Sequence, residues 1–154
     1  MIGGFFGWTE DSYMVKAHPY GGGTSCDMVN MSEIAMRRNP DVLIVHAETN
    51  DFQESIDTKS ELAKVIRQAR SQKSDIKFAI SAICHREDKC ALILKIADMN
   101  NQLRTFCQHH QVGFIEDRNF TSQHLARKNP TAYGRDNGNT ILVNNIKDYL
   151  KSLN

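Results

Sequence analysis

Three residues that close an apolar run are the best placed in this chain to do chemistry. Pro40 is followed by Asp41-Val42-Leu43-Ile44-Val45-His46-Ala47, and then by Glu48-Thr49-Asn50-Asp51. An asparagine just past a buried strand can aim its amide N–H at a developing oxyanion. Asp51 beside it can cap or orient the loop, and Thr49 completes the polar turn. An Asx turn or a helix cap uses the same residue types, so both readings stand at this point. Upstream, Gly21-Gly22-Gly23 open a helical segment. Backbone N–H groups there could face an anion, or the run could serve as a flexible turn. No Gly-Lys-Ser/Thr follows it, so it is not a Walker loop, and it is not a dinucleotide fingerprint. Cys84-His85, Cys90 and His109-His110 match the spacing of no common zinc module. No metal and no cofactor is expected. Ser12 and Ser25 are available hydroxyls.

These residues need elements to position them. Asp41–Ala47, Lys77–Ile83 and Val112–Asp117 read as strands buried on both faces, and Tyr13–His18 as a weaker one ending at Pro19. Ser25–Met36 carries Met28, Met31, Ile34 and Ala35 at helical spacing. Ser60–Ser71 carries Leu62, Ala63, Val65, Ile66 and Ala69. Ala91–His109 carries Leu92, Ile96, Met99, Leu103, Phe106 and Cys107. Thr140–Leu153 carries Ile141, Leu142, Ile146, Tyr149 and Leu150. Asp57-Thr58-Lys59-Ser60 offers a cap to the second helix. Strands alternating with such helices predict βαβ units and a mostly parallel sheet with helices on both faces, a three-layer α/β/α sandwich. Arg118–Asn139 is the one long irregular stretch. Ligands bind beyond the carboxyl ends of parallel strands. The segments that follow all four strands are polar or glycine-rich, so each is a place to look for a site.

Composition narrows the class. The 154 residues suit a single domain, and 40% hydrophobic with 24% charged residues is ordinary for a globular chain. A net charge of +1 gives no electrostatic argument for nucleic acid, membrane or acidic substrates. Four cysteines without a CxxC pair read as free thiols in a reducing, intracellular or cytoplasmic setting. Met1–Trp8 has no basic start and no sustained apolar run, so no secretory signal is expected there.

Taken together these blocks resemble the SGNH/GDSL hydrolases. Pro40–Asp51 looks like that family's third block, commonly "PDxxxxxxGTND", and Pro19–Met28 looks like its second. The resemblance is closest to a subgroup seen in animal retroelement-like sequences. It continues through Ile80–Ile83, Met99–Leu103, Val112–Glu116 and Leu142–Ile146, covering nearly the whole chain in order. It implies a flavodoxin-like sheet and acyl-ester hydrolysis. In the family, a serine from a Gly-Asp-Ser block attacks the ester. A histidine near the C-terminus is the base, and an aspartate orients it. By that correspondence Asn50 is the oxyanion asparagine. Gly22 best matches the oxyanion glycine, with Gly21 and Gly23 as alternative registers.

The departures are as informative. There is no Gly-Asp-Ser in the chain. In the family it ends the first strand, just before the segment matching Met1-Ile2. The chain is thus expected to be a single domain over residues 1–154, incomplete at its N-terminus and lacking the first strand. Without that partner, Tyr13–His18 either pairs with Asp41–Ala47 or leaves the sheet edge open. Glu48 replaces the family glycine before Thr-Asn-Asp. Tyr133 falls about where the catalytic histidine belongs, with His124 as the weaker substitute. His46 reads as a hydrogen-bonded core histidine and His85 as a loop residue. The implied ligand is a small ester or acyl compound, and this polypeptide alone is expected to be inactive. Two other readings remain: a non-catalytic binding or interaction module on the same fold, and a decayed remnant.

Overall fold

The computed structural model describes residues 6–10, 13–18, 23–46, 50–51, 55–83, 90–118, 125–126, 129–133 and 138–153. They fall into two compact units. One is Met1–Asp41 with Asn50–Ile76, the other Val42–Thr49 with Lys77–Asn154.

The first unit opens with a hairpin. Strands β1 (Phe6–Glu10) and β2 (Tyr13–Ala17) run antiparallel, from Phe6 opposite Ala17 to Glu10 opposite Tyr13. Of the two outcomes expected for Tyr13–His18, pairing with Asp41–Ala47 is not seen among the described residues. The strand is present, yet its partner is the aromatic segment just before it. Phe6 and Trp8 are good strand formers, and a hairpin closes over a much shorter loop than a long-range pairing. Helices α1 (Ser25–Met36) and α2 (Thr58–Gln72) pack against each other. On α1 the buried positions are Ser25, Ser32 and Met36, and Ile34 is 44% exposed. The expected Met28–Ile34 face is therefore rotated. Ser32 tolerates burial because its hydroxyl donates to the Val29 carbonyl at 2.8 Å. On α2 the expected face holds: Leu62, Val65, Ile66 and Ala69 are buried. Asp57 is its N-cap, accepting the Ser60 N–H at 3.3 Å.

The second unit contains the parallel sheet. Strands β3 (Val42–His46), β4 (Lys77–Ser81) and β5 (Gly113–Ile115) lie in the order β3-β4-β5, with His46 opposite Ser81 and Ser81 opposite Ile115. Among the described residues, β3 has no strand on its outer edge. Phe78, Ala79 and Ile80 of central β4 are all buried, as two covered faces require. Helix α3 (Cys90–His110) packs on β4 and β5, burying Leu92, Ile96, Leu103 and Cys107, and α4 (Gly138–Ser152) packs on β5. Gly113 permits that second contact, because the Tyr149 hydroxyl and ring lie where a Cβ would sit. The stretch read as irregular contains a short antiparallel ribbon, β6 (Leu125–Ala126) with β7 (Asn129–Tyr133), irregular in register at Leu125 and Ala126. Pro130 lies within β7, a placement that a two-stranded ribbon allows because each strand has a free edge.

Helices and a mostly parallel sheet make this an α/β fold. No helix among the described residues is long and apolar enough to cross a membrane.

Candidate functional site

The turn into α1 and the turn into α2 meet through two neighbouring residues. The Asn50 side-chain amide donates to the Gly23 carbonyl at 3.0 Å. The Asp51 carboxylate accepts the Ser25 backbone N–H at 2.8 Å and the Thr58 hydroxyl at 2.6 Å. Its backbone carbonyl accepts the Ile56 N–H at 3.2 Å. Asp51 is 3% exposed and Thr58 2%, so these charge-assisted bonds form out of water, where they are strongest. A carboxylate that accepts the first backbone N–H of α1 also faces the positive end of that helix dipole.

The same turn is tied locally. Asp27 accepts from the Thr24 backbone N–H at 2.9 Å and from the Thr24 hydroxyl at 3.1 Å. Asp27 N–H in turn donates to the Thr24 carbonyl at 3.0 Å. Gly23, Thr24 and Ser25 are all buried. The Ser25 hydroxyl is buried without a hydrogen-bond partner among the described residues.

Of the residues singled out in the sequence, Asn50, Asp51 and Gly23 are thus brought together. Gly21, Gly22, Glu48, Thr49 and His124 lie outside the described residues, as do Ser12 and His85. Tyr133 ends β7, and its side chain is not among those described. Sequence reasoning missed Ser25 and Thr58 as the partners of Asp51. The separations of 26 and 7 residues leave no local spacing that would announce them.

In the second unit the carboxyl ends of the strands carry polar groups of different character. Burial lowers His46 to about 4, so its imidazole is neutral at neutral pH; part of the residue reaches solvent, but its Nδ1 does not. Burial raises Asp117, two residues past β5, to about 6. Glu116 is held below the usual carboxylate range, first by its hydrogen bonds to Arg104 at 2.7 and 2.9 Å. Arg104 also lies over the Phe114 ring, 5.1 Å from its centre. After β4, the Asn100 side chain accepts the Ile83 N–H at 2.8 Å and donates to its carbonyl at 3.0 Å. This pair fixes the backbone where β4 hands over to the following loop. No group of three or more His, Cys, Asp or Glu side chains among the described residues could hold a metal ion.

No protein-family model and no curated protein sequence matches the chain. Solved structures do. A carbohydrate esterase family 3 protein from Talaromyces cellulolyticus matches with a TM-score of 0.72 at 16% identity, over 96% of this chain and 80% of that one. A GDSL-like lipase from Bacteroides thetaiotaomicron matches with a TM-score of 0.71 at 15% identity, over 86% of this chain and 73% of that one. At such identities the likeness establishes the fold alone: the chain shares the α/β fold of these structures.

Proposed function

We propose that this chain is an SGNH/GDSL-type hydrolase domain, of the kind found in retroelement-like sequences. Its pocket receives the acyl group of a small ester at Asn50 and the glycine-rich turn. The observation that carries this reading is the bond from the Asn50 amide to the Gly23 carbonyl, which joins the two blocks the family uses for its oxyanion site. An amide anchored on backbone is preorganised, and preorganised donors stabilise an oxyanion without reorganisation cost. Gly22 is the proposed second donor.

Acyl-ester hydrolysis belongs to the complete catalytic set. The 154 residues hold no Gly-Asp-Ser, and Tyr133 stands where the base is expected. We therefore propose that this polypeptide, taken alone, does not turn over esters. Hydrolysis of p-nitrophenyl acetate tests the point. A rate equal to that of an Asn50→Ala variant is expected, and a rate clearly above it would overturn the assignment of inactivity. The missing Gly-Asp-Ser also favours a second reading, a binding module that retains the acyl pocket. Saturable protection of the Asn50 side-chain signals by a small acyl compound, without chemical change, is its expected signature.

A further inference from the structure

We propose that Asp51 is a positioning residue: by joining the first residues of α1 and α2, it holds the Asn50 side-chain amide at the Gly23 carbonyl. The inference rests on the functional reading only for the importance of Asn50; the coupling itself stands on geometry. Residues 50 and 51 reach the turn into α1 at Gly23 and Ser25, two positions apart, through bonds of 3.0 and 2.8 Å. Rotating the 50–51 backbone to swing the amide away must stretch the Asp51–Ser25 bond. It must also pull the second carboxylate oxygen from Thr58. That oxygen is tied to the first residue of a helix whose face is buried at Leu62, Val65 and Ala69, so it cannot follow. The first turn of α2 is thereby a fixed post, and Asp51 carries its position to Asn50.

The experiment uses the isotope-labelled full chain and reads the hydrogen exchange and chemical shifts of the Asn50 side-chain amide. In Asp51→Ala that exchange is expected to rise about tenfold, the change that loss of one buried hydrogen bond produces. In Asp51→Asn it should stay within about twofold of the parent, because the carboxamide oxygen still accepts from Ser25 and its NH2 can donate to a reoriented Thr58 hydroxyl. Should Asp51→Ala fail to fold, Thr58→Val removes one arm and should still accelerate Asn50 exchange several-fold. A purely structural role predicts something else: a lower melting temperature in each folded variant, with Asn50 exchange and shifts unchanged. That result overturns the proposal, as does an Asp51→Asn chain that matches Asp51→Ala. Acyl binding is scored separately on the parent. If Asp51 controls the amide and no acyl compound perturbs it, the ligand assignment falls and the positioning role stands.

Discussion

Two buried groups in the second unit should pull the acid stability of this protein in opposite directions. His46 falls from an ordinary 6.5 to about 4 through burial. Its neutral form is favoured in the folded state. The stability it contributes is complete above pH 6.5 and is lost as the pH falls toward 4. At about 1.4 kcal/mol per pH unit, that interval corresponds to about 3 kcal/mol. Asp117 rises from 3.8 to about 6, again through burial. Its protonated form is favoured in the folded state, so acidification from pH 6 toward 3.8 stabilises the fold. The ceiling is about 3 kcal/mol by the same arithmetic, and the half-buried carboxyl reduces it to about 1–2 kcal/mol. Neither group owes its displacement to the other, so the two effects should add. The parent should therefore lose only about 1–2 kcal/mol between pH 6.5 and 4 from this pair. Asp117→Asn should unmask the full His46 loss of about 3 kcal/mol, and His46→Gln should leave a protein that gains stability on acidification. Urea unfolding at half-unit pH steps measures all three slopes. Parallel curves for the parent and Asp117→Asn would show that burial of the Asp117 carboxyl does not control its titration.

Two further substitutions probe contacts that set the second unit. Gly113→Ala places a methyl group into the Tyr149 hydroxyl and ring, and should cost about 1–3 kcal/mol by overpacking, read from the urea midpoint. Pairing it with Tyr149→Ala should recover part of that loss, since the obstacle is then gone. Asn100→Ala strips both the donor and the acceptor from Ile83. It should cost about 2–4 kcal/mol and accelerate exchange at the Ile83 amide above that of the β4 core, whereas uniform acceleration across β4 would place the effect elsewhere.

The elements that were readable are those whose own residues specify them. Helix α2 carries Leu62, Val65, Ile66 and Ala69 on one face behind an Asp57 cap, and it forms within two residues of the expected limits. Strand β4 is apolar on both faces because both are covered, so a continuous run announces it. Helix α1 was readable in extent and misleading in orientation. Its apolar residues are spread around the axis, and Ser32 is buried through a bond to its own helix. Strand β1 lies outside the elements expected from the sequence, and the alternation of Phe6 and Trp8 is the signal it offers. The β6–β7 ribbon offered almost none: a two-residue strand and one carrying a proline stand below any periodicity test.

The site divides along a similar line. Asn50 could be picked out because a short polar turn after a buried strand is a local pattern, and local patterns survive in a one-dimensional record. Its seat on Gly23, and the seat of Asp51 on Ser25, join residues 27 and 26 positions apart. No local spacing announces a contact between residues so far apart in the chain. Resemblance to a family put Gly22 first for the N–H donor, and the observed contact uses the carbonyl of Gly23. The buried carboxylate of Asp51 gives this geometry its rigidity. Two partners hold the Asp51 carboxylate, the Ser25 N–H and the Thr58 hydroxyl, and loss of either leaves a buried acceptor short of a hydrogen bond.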